Sequence, residues 1–188
     1  GRFAALTNIR DPHQPPSRKS RGELVAGYLL GDQPIDDYLN NVVARSLEYA
    51  GFNLLIGNTN ELWHFHAREP EAVMLAPGVY GLSNAGLNTP WPKLLKARAA
   101  LEEVLGDPQP QALLALLADS QAAPFAELPD TGVGLATETL LSSVFIASQS
   151  YGTRASTALI VQADGSRRMV ERSFGPYGGH LGEVGIVV

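Results

Sequence analysis

The strongest constraint on the fold is a hairpin signal near the end of the chain. Two runs rich in β-branched and apolar residues, Thr157–Ala163 and Arg168–Ser173, flank a turn that contains Asp164-Gly165. Asp-Gly between such runs favours a tight turn joining antiparallel strands, because glycine adopts the positive φ that this turn needs. The segment 157–173 is therefore predicted to be a β-hairpin.

An earlier part of the chain carries a second hairpin signal. Phe52–Ile56 is a short continuous apolar run, typical of a strand buried on both faces, and Leu62–Ala67 follows it across a turn. The first eight residues also have a strand pattern. Strands that come in hairpins, rather than alternating with helices, predict mainly antiparallel sheets and the α+β class. Shorter strands are predicted at 73–75, 79–83 and 144–147.

Helical periodicity appears between these strand runs. Apolar residues at helical spacing over 35–43 predict an amphipathic helix with Asp32 as its N-cap. Further helices are predicted over 22–30, from Thr89 to a stop at Gly106, and around 113–117. No internal repeat or low-complexity linker divides the chain, so residues 1–188 are predicted to form a single domain.

Charge and composition limit the partners of the chain. The 188 residues hold 14 Lys and Arg against 19 Asp and Glu, a net charge of −5, which argues against a nucleic-acid binder. No apolar stretch is long enough to span a bilayer. Cysteine is absent, which excludes disulfides and thiolate sites and is compatible with the cytoplasm. Composition alone assigns no ligand.

His64 and His66 are the only closely spaced histidines. On a strand they face the same way, so both imidazoles could reach one metal or one haem iron. The alternative is a half-exposed face opposite a core that holds Trp63 and Phe65. Two histidines without a third ligand do not define a metal site, and no metal is assigned.

Asn84 lies at the end of the predicted strand 79–83. An asparagine amide at a strand end can donate two hydrogen bonds toward a cleft, as an oxyanion hole requires. The alternative is that Asn84 closes a turn or caps the backbone.

Two groups of cations are candidates for binding anions. Arg154 precedes the 157–173 hairpin, where it could face a carboxylate, a phosphate or a developing oxyanion, or form only a surface ion pair. Arg18, Lys19 and Arg21 could hold a phosphate-bearing ligand, although such charge runs are usually solvated.

Seven segments, taken in order, resemble the NRDE family. They are Ala5–Pro12, Ser20–Val25, Gly51–Leu55, Tyr80–Ala85, Thr89–Lys93, Tyr151–Arg154 and Glu171–Ser173. The resemblance implies an N-terminal-nucleophile (Ntn) hydrolase-like fold, an αββα sandwich of two mainly antiparallel sheets between helix layers. Family members begin with Met-Cys followed by the Asn-Arg-Asp-Glu signature, and this chain has neither. We therefore expect the N-terminal strands and the nucleophile to be missing from it.

The resemblance also implies roles for individual residues. By similarity to penicillin and bile-salt acylases, Asn84 would stabilise the oxyanion, Arg154 would lie beside the nucleophile, and Asn8 would lie near the oxyanion hole. The expected activity is hydrolysis or transfer of an acyl group at a C–N or thioester carbonyl, with the nucleophile supplied by the absent segment. The chain as it stands is not expected to be active.

A second function remains open from the same resemblance. Family members are linked to haem trafficking and to acyl-CoA and lipid homeostasis, which implies a non-catalytic carrier or chaperone. The implied partner is a small molecule: an acyl compound, acyl-CoA or haem. Haem would involve His64 and His66, or no histidine if its contact is hydrophobic. The phosphates of acyl-CoA would involve Arg154 or the basic group Arg18, Lys19 and Arg21. No cofactor is required by either function, and haem would be a ligand. A purely structural interaction domain has no feature in its favour.

Overall fold

A computed structural model describes residues 1–14, 17 and 19–188 and forms two compact units. Unit 1 is Gly1–Thr89 and unit 2 is Pro90–Val188. Both combine helices with an antiparallel sheet, so the predicted α+β class is confirmed. The prediction of a single domain stays a prediction. Among the described residues, no helix has the length and apolar character needed to cross a membrane.

Unit 1 is built on a four-stranded antiparallel sheet in the order β1-β2-β3-β4. Its strands are β1 (Phe3–Asn8), β2 (Phe52–Gly57), β3 (Leu62–His66) and β4 (Val73–Met74). Its helices are α1 (Gly22–Leu30) and α2 (Ile35–Ala44). The predicted hairpin is the β2–β3 pair, in which Leu54 lies opposite Phe65 and Leu55 opposite His64.

The core of unit 1 lies on one face of this sheet. Phe52, Leu54 and Ile56 alternate along β2 and belong to one apolar cluster with residues of α1 and α2, Leu24 and Leu39 among them. Side chains along a strand alternate between faces. Asn53 of β2, together with His64 and His66 of β3, therefore points to the face away from this core.

The start of α2 differs from the prediction. Pro34, not Asp32, is the N-cap residue, and no side chain caps the helix. The fixed φ of proline positions the chain to enter the helix, and Asp36 and Asp37 in the first turn favour the positive end of the helix dipole.

Unit 2 contains a three-stranded antiparallel sheet in the order β5-β6-β7. Its strands are β5 (Ala155–Val161), β6 (Arg167–Phe174) and β7 (His180–Val187). Its helices are α3 (Pro92–Val104), α4 (Pro110–Leu116) and α5 (Leu135–Leu141). The β5–β6 pair confirms the 157–173 hairpin, and Gly165 in its turn has φ +86°.

Two predicted strands are absent from the structure, and one observed strand was not predicted. The segments 79–83 and 144–147 form no strands and contribute only the isolated bridges Leu82–Leu87 and Ala147–Gly152. Conversely, β7 occupies the Gly-rich tail in which no strand was predicted. Most of its side chains are exposed, so its sequence lacks the alternation that marks a half-buried strand. Backbone pairing with β6 holds it in place.

Leu54→Ala tests the core of unit 1. Leu54 is completely buried, so truncation leaves a cavity and should lower the free energy of unfolding by about 2–5 kcal/mol in urea denaturation. Leu47→Ala is the matched control, because Leu47 is 95% exposed and its loss should change stability by less than about 0.5 kcal/mol. Equal losses in the two variants would contradict this description of the core.

Candidate functional site

A buried asparagine organises the polar face of the unit 1 sheet. Asn53 has no exposed surface. Its Nδ2 donates to Thr7 Oγ1 (3.2 Å) and to the Ala85 carbonyl (3.3 Å), and its Oδ1 lies 3.2 Å from His64 Nε2. A carbonyl can only accept, so the Ala85 contact fixes the orientation of the amide. Asn53 Oδ1 therefore accepts a hydrogen bond from His64 Nε2–H.

The same network holds the segment 83–85 against the sheet. Thr7 Oγ1 accepts from Asn53 and donates to the Ser83 carbonyl at 2.9 Å. Within the segment, Ser83 Oγ accepts from the Ala85 backbone N–H at 3.2 Å. Side chains of β1 and β2 thus fix a loop that has no ladder pairing with either strand.

Asn84 lies in this loop and contacts the end of β1. Its Nδ2 donates to the Asn8 carbonyl at 2.8 Å, and its own carbonyl accepts from the Arg10 backbone N–H at 2.7 Å. The structure therefore brings together Asn8 and Asn84, two of the predicted site residues. One amide proton of Asn84 is used in the hydrogen bond to the Asn8 carbonyl. Asn84 Nδ2 has no second acceptor among the described residues.

His64 and His66 line one cleft on the polar face of unit 1, with a volume of about 520 Å³. We call it the His64 cleft. It is lined by Ile9, Arg10, His64, His66, Arg68, Glu69, Ala85, Gly86, Leu87 and Thr89.

The two histidines differ in the nitrogens they have available. His66 Nε2 lies 3.2 Å from the Ala85 carbonyl, and His66 Nδ1 accepts from the Arg68 backbone N–H at 3.2 Å. His64 uses Nε2 for Asn53, while its Nδ1 has no hydrogen-bond partner among the described residues. Joint coordination of one ion would require His66 to give up a backbone contact. The described residues contain no group of three or more His, Cys, Asp or Glu that could hold a metal ion.

Burial controls the charge of the His64 side chain. Desolvation, assisted by the neighbouring His66, lowers the pKa of His64 to about 4, so the ring is neutral at pH 7. Outside the cleft, the backbone N–H of His13 and the Arg68 guanidinium hold the pKa of Asp11 below its usual range. The lining thus combines a neutral imidazole with guanidinium groups.

The other predicted cations have structural contacts. Lys19 pairs with Glu48, and Arg21 Nη1 donates to the Gly51 carbonyl at 2.9 Å. Neither residue lines the His64 cleft. Arg18 lies outside the described residues. Phosphate binding by this basic group stays a prediction.

Arg154 belongs to unit 2, directly before β5. Its side chain is exposed, and its carbonyl accepts from the Phe174 backbone N–H at 2.8 Å. Asn84 belongs to unit 1, so the predicted role of Arg154 beside a nucleophile is not tested by the contacts within either unit and stays a prediction.

Sequence reasoning missed the residues that hold the site together. Asn53 and Thr7 received no role, although an asparagine inside a continuous apolar run was a usable signal: a buried amide needs partners. Arg10 and Arg68 were missed because they join the histidines only through the fold.

These observations define an α+β protein with a polar cleft. Beside the cleft lies the loop 83–85, which carries Asn84 and is held against the sheet by Asn53 and Thr7. Comparison with known proteins then fixes the family: residues 1–176 match the model of Transport and Golgi organisation 2, and the chain belongs to that family. This confirms the NRDE resemblance.

Three relatives are similar to the chain at 32–37% identity. The Transport and Golgi organization protein 2 homolog of Bos taurus is 37% identical over 193 residues. The homologs of Mus musculus and Homo sapiens are 32% and 34% identical over 189 residues each. Each match covers 92% of this chain and 68% of the relative.

Asn53→Ala tests the network. The change leaves the buried His64 Nε2 without its partner, a loss that costs about 1–3 kcal/mol. Thr7 and the Ala85 carbonyl each lose one hydrogen bond but keep their contacts with Ser83 and His66. We expect a lower free energy of unfolding in urea and faster hydrogen exchange of the Ala85 amide. Asn60→Ala, in an exposed turn, is the control and should change neither. An unchanged Ala85 exchange rate in Asn53→Ala would argue against the tether.

The pH dependence of stability tests the environment of His64. Its pKa falls from 6.5 to about 4 on folding, so the unfolded chain binds a proton that the native protein does not bind between these values. The free energy of unfolding should decrease as pH falls from about 6.5 to about 4, by up to about 1.4 kcal/mol per pH unit. In urea denaturation at several pH values, His64→Gln should give a shallower dependence. Identical profiles would contradict a buried neutral His64.

Proposed function

We propose that this chain is part of an Ntn-hydrolase-like domain that binds the carbonyl of an acyl amide or thioester for hydrolysis or transfer. The observation that carries the proposal is the contact of 2.8 Å between Asn84 Nδ2 and the Asn8 carbonyl. It brings together at one strand end Asn84, to which the family resemblance assigns stabilisation of the oxyanion, and Asn8, which it assigns to a position near the oxyanion hole. The αββα sandwich is part of the same proposal.

The chemistry needs donors that are fixed before the reaction. When a nucleophile attacks a carbonyl, the oxygen gains negative charge, and preorganised N–H groups stabilise it without reorganising. Asn84 has a second amide proton for this purpose. The tether from Asn53 through Thr7 to Ser83 limits the movement of the loop that carries it.

The proposed nucleophile is a cysteine. The 188 residues include no cysteine. The proposed part of this chain is therefore recognition of the carbonyl oxygen by Asn84 and Asn8. The role of Arg154 beside the nucleophile stays a prediction. In a longer chain, a terminal cysteine would attack the carbonyl and its α-amino group would act as the base.

A non-catalytic carrier is the second candidate, and the His64 cleft favours it. Arg10 and Arg68 line the cleft and could hold the phosphates of acyl-CoA or the propionates of haem. For either function, the proposed location of the protein is the cytoplasm.

Binding of octanoyl-CoA tests the first proposal. Calorimetry should show that Asn84→Ala weakens octanoyl-CoA binding by about two- to tenfold, the range of one neutral hydrogen bond, with no change for CoA itself. Asn8→Ala removes that side chain but keeps the carbonyl that Asn84 contacts, so it reports on Asn8 without breaking the loop anchor. Asn41→Ala, on the exposed surface of α2, is the matched control.

Two outcomes test the role of Asn84. Equal affinities of wild type and Asn84→Ala for octanoyl-CoA would overturn the role of Asn84. In a longer form that begins with cysteine, Asn84→Ala should lower kcat by about 10²–10³-fold, as expected for loss of one oxyanion donor.

Haem titration tests the carrier. If the histidines bind iron, the Soret shift of added haem should disappear in the His64→Ala/His66→Ala double variant. An unchanged spectrum would exclude these ligands.

A further inference from the structure

His64 lines the His64 cleft and has one ring nitrogen without a partner among the described residues. The residue is 8% exposed and lines the cleft, and its Nδ1 has no partner among the described residues. Nε2 is committed to Asn53 on the other side of the ring. This nitrogen is therefore available to accept a hydrogen bond from a ligand in the cleft.

The network determines the kind of partner that Nδ1 can take. The Ala85 carbonyl orients the Asn53 amide, and Asn53 Oδ1 then requires the proton of His64 on Nε2. Nδ1 is consequently a lone-pair acceptor, and burial keeps the ring neutral at pH 7. A hydrogen-bond partner for it must therefore carry an O–H or N–H.

The surroundings define the rest of the ligand. Two guanidinium groups, Arg10 and Arg68, line the cleft against one carboxylate, Glu69. Arg68 also pairs with Asp11. Ile9 and Leu87 add apolar surface. This lining suits an anion with a short hydrocarbon part.

We propose that the His64 cleft binds small organic acids that carry a hydroxyl or an amide N–H, and that His64 Nδ1 selects them by accepting that proton in a hydrogen bond. His64 is a specificity-determining residue, and no proton is transferred. The inference deepens the proposed function by naming a ligand class, and it rests on that function only in taking an acyl compound as ligand.

A matched pair of probes isolates the hydroxyl. 3-Hydroxyoctanoate and octanoate differ by one O–H, and calorimetry should show about three- to tenfold tighter binding of the hydroxylated acid, as one net hydrogen bond gives. His64→Gln keeps a donor for Asn53 but loses the Nδ1 acceptor, so the ratio of the two dissociation constants should fall to about one. His64→Asn places an amide oxygen near the Nδ1 position and should restore part of the ratio.

His66→Gln is the control variant. Both ring nitrogens of His66 already hold backbone partners, so the ratio should stay at its wild-type value in this variant. Equal loss in His66→Gln and His64→Gln would overturn the assignment to His64. Equal affinity of wild type for the two acids would remove hydroxy acids from the ligand class, and no binding of either acid would overturn the class.

A second pair of probes tests whether an amide N–H can replace the hydroxyl as the donor to His64 Nδ1. N-hexanoyl-β-alanine and its N-methyl derivative differ in the amide N–H, and wild type should prefer the unmethylated compound if amides are accepted. Discrimination in the hydroxyl pair alone assigns the site to hydroxy acids, and discrimination in neither pair rejects the proposal.

Asn84→Ala separates this inference from the proposed function. If Asn84→Ala leaves octanoyl-CoA binding unchanged while His64→Gln abolishes the discrimination, the carbonyl site fails and the His64 site stands. Nitrogen-detected NMR of the His64 ring adds a direct readout, because the Nδ1 resonance should move on binding 3-hydroxyoctanoate and stay in place with octanoate.

Discussion

The polar face of unit 1 depends on the hydrogen bonds of one buried amide. Both amide protons of Asn53 and its side-chain oxygen form hydrogen bonds inside the protein, with Thr7, Ala85 and His64. A buried amide is costly without partners, so its burial is stable only when the loop 83–85 and strand β3 are in place together. Asn53 thus couples the strand β2, the loop and the histidine in a single arrangement.

This coupling decides what the cleft can do. Because Asn53 accepts from His64 Nε2, the other ring nitrogen, Nδ1, is left as an acceptor, and burial favours the uncharged ring. His66 lies two residues away on the same strand, and both of its ring nitrogens form hydrogen bonds with backbone atoms. Two histidines with the same sequence signal therefore have different chemistry, and the difference arises from which neighbours the fold brings to each.

The predictable parts of the fold are those with a local signal. The hairpins at 52–66 and 155–174 follow from turn residues and apolar runs, and α2 follows from its period. Strand β7 has no such signal: it contains Gly182 and Gly185 and exposes most of its side chains. It forms because β6 offers an unpaired edge, which is information from the sheet and not from the segment itself.

The sequence by itself determined the α+β class, the family, the shared direction of His64 and His66, and Asn84 as a residue of interest. These properties come from short-range periodicity and from motifs that lie within single segments. Only the tertiary structure decided that Asn84 meets Asn8, 76 positions apart, and that Asn53 bridges Thr7, His64 and the 83–85 loop. Those contacts join residues far apart in sequence, and a hydrogen bond forms only where strand register and loop packing place its donor within about 3 Å of its acceptor.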